Sequence, residues 1–136
     1  MTTSCRRLAA QQPRWAPGRE AGYQAQNYGH VIGELVRRTT GLSLGSFMRT
    51  ELVDPACADF RLGAPDIDPQ RIAELVGPET VRMSFPPDLD RKVMVDAFTA
   101  PRVDTAEAMT TWWRAAELGA ANGHGHARSV ATLLSV

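Results

Sequence analysis

Two histidines, His124 and His126, flank Gly125. Imidazoles at i and i+2 in a glycine-rich stretch can share a cation, but a metal site needs a third and usually a fourth ligand with outer support. His30 is remote along the chain, and neither Cys5 nor Cys57 falls near the pair. A turn leading into a helix accounts for both histidines, and no metal is expected. Asp66, Asp68, Asp88 and Asp90 suggest calcium by residue type alone. No glycine stands at the sixth position of either set and no glutamate at the twelfth, so the spacing excludes an EF-hand. Helix capping and solvation explain these carboxylates.

Gly41-Leu42-Ser43-Leu44-Gly45 has the outline of a nucleophile elbow. That elbow needs a strand before its serine and a helix after it. Here a helix precedes, so Gly41 reads as a helix C-terminal residue and Ser43 as the next N-cap. Tyr23, in Gly22-Tyr23-Gln24, stands shortly before the longest helical pattern. It could staple the first turn of that helix. It could also turn its hydroxyl into a site near the helix N-terminus, where the dipole favours an anion. The sequence favours the staple and leaves the site open.

The elements that would hold these residues are mostly helical. Ser4 to Gln12 suits a short helix, stopped by Pro13, Pro17 and Gly18; Pro13 to Gly18 reads as an extended turn. Tyr28, Val31, Ile32, Leu35, Val36 and Thr39 form one apolar stripe of helical period, with Arg37 and Arg38 in the last turn. A second helix follows Ser43 with Leu44, Phe47, Met48 and Leu52 on one face and closes at Asp54-Pro55. The pair predicts an αα-corner. Ala58 to Leu62 alternates and ends at Gly63, as a short strand would. Asp68-Pro69 opens a short helix through Ile72, Ala73 and Val76. Residues 77–90 read as a loop, Arg91 to Phe98 as a helix, and Thr105 to Glu117 as another carrying Trp112 and Trp113. Asn122 to His126 reads as a flexible loop, and a last helix begins at Ala127. The apolar pattern Val130, Ala131, Leu133, Leu134 is still running at Val136.

Composition sets the outer limits. At 136 residues, 43% hydrophobic and 22% charged, the chain suits one globular domain rather than a disordered one. Fifteen basic residues balance fifteen acidic ones, which gives no footprint for nucleic acid or an anionic membrane. A helix-turn-helix over residues 26–52 would have only Arg49 on its second helix for phosphate contacts. No apolar run reaches the length of about 18 residues that a membrane helix needs. Arg6 and Arg7 are not followed by an apolar segment, so a signal peptide is not expected and the cytoplasm is. Cys5 and Cys57 match no zinc spacing and read as free thiols.

Three runs resemble the serine β-lactamase-related family, which includes class C β-lactamases, penicillin-binding-protein-like carboxypeptidases and esterases. They are Pro17-Gly18-Arg19-Glu20-Ala21-Gly22-Tyr23-Gln24-Ala25, Gly33 through Phe47, and Asp59-Phe60-Arg61-Leu62-Gly63. Arg114-Ala115-Ala116-Glu117 and Ala120 through Gly125, with Ala127-Arg128, resemble its esterase-like branch. Residues 77–110 match loosely. The resemblance implies a mainly α chain with one or two short strands, the helical lobe of an α+β β-lactamase/transpeptidase-like fold. It implies acyl-serine chemistry on a small ester or amide substrate, without a cofactor. It matches Tyr23 to the family tyrosine that shuttles a proton, and it makes Asn122, His124 and His126 candidates for a substrate-cleft wall near Tyr23. Alanine at position 25 departs from the Tyr-x-Asn form and sets β-lactam recognition in doubt.

The single lysine decides what is missing. Lys92 has leucine three residues before it, so no Ser-x-x-Lys exists; Val93 and Met94 follow it, so no Lys-Thr-Gly exists. None of the three histidines begins His-x-Gly. Residues 1–136 are thus expected to be a partial β-lactamase-related domain, a fragment inactive alone, with apolar surface open to self-association. A non-catalytic helical interaction module on the same scaffold is the alternative.

Overall fold

A computed structural model of the chain describes residues 2–77, 90–99 and 105–135. Helix α1 spans Thr3–Ala9 and starts where the Thr2 hydroxyl accepts from the Cys5 backbone N–H. The buried Cys5 thiol donates to the His30 carbonyl at 3.2 Å and so ties α1 to α2. Both cysteines are free thiols, and Cys57, exposed, holds a positive φ of 50° in the turn after Val53.

Helix α2, Tyr28–Thr40, ends as its sequence predicts: Gly41 takes the left-handed conformation at φ 80° and donates to the Arg37 carbonyl. Ser43 then caps α3, Leu44–Met48, by accepting from Ser46 N–H. The two helices pack together, which gives the expected corner. α3 does not run regularly to Asp54. From Arg49 to Val53 the chain widens into a π-turn, closed by the Asp54 N–H on the Arg49 carbonyl. Arg37 and Arg38 do more than face the helix dipole. Both bond the buried Glu34 carboxylate at 2.9 Å, which also accepts from the Thr2 N–H. The two guanidiniums hold the Glu34 carboxyl down at about 2.

Only part of the apolar stripe that marks α2 packs within this chain: Ile32 and Val36 are half-buried. Gly29 and Gly33 point inward. A Cβ on Gly29 would lie 2.5 Å from the Ala120 backbone N, and one on Gly33 would touch Leu44. Tyr28, Val31 and Leu35 stay exposed. Backbone-to-backbone contact at Gly29 and Gly119 lets the helix cross the 119–120 segment, which side chains would prevent.

Strand β1, Phe60–Leu62, follows the alternation of its sequence. Its partner, β2, is Gly123–Gly125, antiparallel, with Phe60 opposite Gly125 and Leu62 opposite Gly123. The flexible loop expected over Asn122 to His126 is therefore corrected: its centre, Gly123–Gly125, is a strand, and His126 caps the next helix. The Phe60 ring lies across both glycines: a Cβ at either would come within 2.8 Å of it.

Other expectations shorten. Asp68 caps a 3₁₀ turn, Pro69–Arg71, through Gln70 N–H, but Ile72 is already extended, so no helix continues to Val76. Apart from Gly77 and Asp90, the loop expected over 77–90 lies outside the described residues. α4 spans Arg91–Thr99. The single helix expected from Thr105 to Glu117 is two, α5 Thr105–Ala108 and α6 Thr111–Ala115, because the Thr110 hydroxyl accepts from Trp113 N–H and starts a new helix. α7, Ala127–Leu133, closes the described chain. Among the described residues, no helix is long and apolar enough to cross a membrane.

Candidate active site

Tyr23 does not staple α2. Its ring stacks on Phe98 of α4, with centroids 5.6 Å apart at 22°. It is 68% exposed and lines a groove of about 1340 Å³ between residues 8–27 and α4. Among the described residues no group bonds its hydroxyl. The loop that carries it is fixed by two contacts. Trp15 Nε1 donates to the Glu20 carbonyl at 3.0 Å, and the indole lies so close to Gly22 that a Cβ there would meet it at 2.9 Å. Arg14 bonds Asp96 of α4 at 2.8 Å and joins the two walls. Arg14, then Lys92 at 3.1 Å, hold the Asp96 carboxyl below the usual range.

The Asn122–His126 segment does different work. Asn122 is buried. Its amide nitrogen donates to the carbonyls of Trp113 and Ala116, both at 2.6 Å. Both carbonyls lie at the C-terminal end of α6, where each also accepts one backbone N–H, Trp113 from Ala116 and Ala116 from Leu118. Since the amide nitrogen faces carbonyls, its oxygen faces His124, and His124 Nε2 donates to it at 2.8 Å. Burial, then the charge of Arg114, push the His124 pKa down. His126 is the N-cap of α7: its Nδ1 accepts from Ser129 N–H at 3.2 Å. None of residues 122–126 lines the groove at Tyr23. The structure brings Asn122 and His124 together, sets His126 on α7, and puts Tyr23 with Phe98 and Trp15. Among the described residues no three His, Cys, Asp or Glu side chains gather as a metal set.

Sequence reasoning gave no role to Trp15, Phe98 or Glu117. Trp15 and Phe98 carried no motif; their link to Tyr23 is purely tertiary. Glu117 accepts from the Ser43 hydroxyl at 2.9 Å and from Gly45 N–H at 3.1 Å, and so anchors α3 at its positive end. Ser43, bonded in this way and itself the cap, has the structural role its place between two helices implies.

A mainly helical chain with a small sheet of this connectivity falls in a known class. Its fold is that of the penicillin-binding proteins and β-lactamases. It matches the crystal structure of a novel penicillin-binding protein homolog from Caulobacter crescentus with a TM-score of 0.76 and 31% identity, over 96% of this chain and 34% of that one. The family model described as Beta-lactamase matches residues 2–136, and the chain belongs to that family. It is also 36% identical over 77 residues to the esterase/beta-lactamase LipL of Mycobacterium tuberculosis (strain ATCC 25618 / H37Rv), a match covering 55% of this chain and 18% of LipL. The chain thus spans about a third of the solved relative and less than a fifth of the curated one.

Proposed function

We propose that these 136 residues supply the tyrosine side of an acyl-serine hydrolase acting on small esters or amides. Turnover then needs a Ser-x-x-Lys segment that the sequence does not contain. The observation that carries this reading is the free, exposed Tyr23 hydroxyl at the groove. In the reaction, the serine oxygen of the absent segment attacks the carbonyl carbon, and the tyrosine hydroxyl relays a proton to the leaving alcohol or amine. Water then releases the acyl group. Alone, the chain has no activated attacking group.

The test compares the chain alone with the chain joined to the segments that flank the matched stretch in the Caulobacter crescentus homolog. Alone it should not hydrolyse p-nitrophenyl esters or chromogenic β-lactams above a buffer blank. Joined, it should hydrolyse esters and lose that activity on Tyr23→Phe. Turnover by the chain alone, or full activity of joined Tyr23→Phe, overturns the reading. The bare Tyr28–Val31–Leu35 face also supports the non-catalytic alternative, a helical module that covers this face with a partner. An inactive joined protein beside a tight partner complex would favour it.

A further inference from the structure

The groove beside Tyr23 has a wall and a charge balance that restrict what it takes. Trp15 forms the wall. Its indole is held at one edge by the Glu20 carbonyl and at its benzo edge, Cη2 and Cζ2, against Gly22, the residue next to Tyr23. An aromatic face fixed in this way costs little further ordering when a ligand arrives. Tyr23 itself is held by Phe98, and Val93, Met94 and Ala97 of α4 add apolar surface.

Charge works the other way. Among the described lining residues one arginine stands against three carboxylates: Arg14 against Glu20, Asp90 and Asp96. Arg14 is already bonded to Asp96. Asp90 is occupied as the cap of α4, where its Oδ1 accepts from the N–H groups of Lys92 and Val93. Arg14 and Lys92 are both engaged on Asp96, so no lining cation among the described residues is left for an anionic ligand, and the Glu20 and Asp90 carboxylates disfavour one.

We propose that Trp15, held by Gly22, is a specificity-determining residue that makes the groove select uncharged esters or amides with an aryl body and reject carboxylate-bearing analogues. This rests on the reading of Tyr23 as the reacting tyrosine, but its test is binding and needs no turnover. Methyl benzoate and benzoate share a ring and differ in charge, so they separate the two features. The chain is titrated with each while the Trp15 indole N–H is followed by NMR.

Methyl benzoate should shift that resonance and saturate; benzoate should bind at least about tenfold more weakly, a difference of about 1.4 kcal/mol. Trp15→Ala should weaken methyl benzoate about fivefold or more, followed on the Tyr23 ring, as expected for the loss of an aromatic face. Trp15→Phe should restore most of the affinity. Gly22→Ala, which displaces the indole without removing it, should weaken binding while Trp15 remains. Trp112→Ala, at a tryptophan outside this groove, should change nothing. Tyr23→Phe should still bind methyl benzoate, so a failure of the catalytic reading in the joined protein leaves this result standing. Equal affinity for benzoate, or unchanged binding in Trp15→Ala and Gly22→Ala, overturns the proposal.

Discussion

Asn122 and His124 are two residues apart, and a 2.8 Å bond between the Asn122 amide oxygen and His124 Nε2 completes the wiring of one buried amide. Every polar atom of that amide is used: the nitrogen on the end of α6, the oxygen on the imidazole. The backbone follows suit, since Gly63 N–H donates to the Asn122 carbonyl at 3.0 Å and aligns β1 with β2. One asparagine thus joins α6, β1 and β2.

Asn122→Ala should therefore be strongly destabilising, although it removes little apolar volume. It removes the amide's bonds to the Trp113 and Ala116 carbonyls, which keep only the Ala116 and Leu118 N–H donors, and takes the partner from His124 Nε2, at about 0.5–1.5 kcal/mol for each bond lost. Asn122→Asp should be at least as damaging, because a carboxylate oxygen would face those carbonyl oxygens with no proton to donate. Urea denaturation followed by far-UV circular dichroism measures both. A loss below about 1 kcal/mol for either variant would mean that the amide's bonds are replaced by water or contribute little.

Stability should fall with acid in two separate windows. The His124 pKa is depressed in the fold by burial and by Arg114, so the unfolded chain binds its proton more tightly. The His124 contribution is complete above the unfolded value of about 6.5 and is lost as pH falls below it toward the folded value. Glu34 has its folded value at about 2, below the ordinary carboxyl value of 4.5. Its contribution is complete above 4.5 and declines as pH falls toward 2. Urea midpoints measured across pH should show an upper step removed by His124→Gln and a lower one removed by Glu34→Gln. A curve that keeps both steps in both variants contradicts the assignment.

Gly125→Ala tests why β2 is Gly-His-Gly. A Cβ at 125 would lie 2.8 Å from Phe60 Cδ2 and 3.0 Å from the Asp59 carbonyl oxygen, so ring and backbone both obstruct it. Gly125→Ala should cost about 1–3 kcal/mol, the range for overpacking. Phe60→Leu should recover part of this by clearing the ring. Equal stability of Gly125→Ala and the parent in thermal melts would show that the ring moves aside at no cost.

The same pair explains what the sequence hid. α2, its glycine stop and the Ser43 cap were legible because each is set by residues within one or two turns: a 3.6-residue stripe, a left-handed glycine, a hydroxyl three residues before its donor. β2 was not legible. Glycine and histidine have no strand preference, and the segment is a strand only because Phe60 needs two neighbours without side chains. The break between α5 and α6 was written in Thr110, an N-cap residue inside an otherwise helical pattern. Family membership was legible from runs around Tyr23, Gly33–Phe47 and Asp59–Gly63. The groove at Tyr23 was not, because Arg14–Asp96 and Tyr23–Phe98 are separated by most of the chain.

The last prediction concerns the bare face of α2. A helix apolar on one side packs once; a helix apolar all round is normally buried all round. On α2 the polar arc is Glu34, Arg37 and Arg38, with Glu34 reached from α1 through Thr2 N–H. The inner arc is Gly29 and Gly33, and the remaining arc is Tyr28, Val31 and Leu35, which are 59%, 47% and 57% exposed. In dilute solution the isolated chain should associate with itself through this face and bind a hydrophobic dye. Val31→Glu with Leu35→Glu should shift it toward monomer in sedimentation experiments. The fold should survive, because these side chains lie on the side of α2 away from its packing within the chain. Unchanged association in the double variant would assign the contact to another surface, and a monomeric parent with a sharp cooperative melt would mean that this face needs no cover.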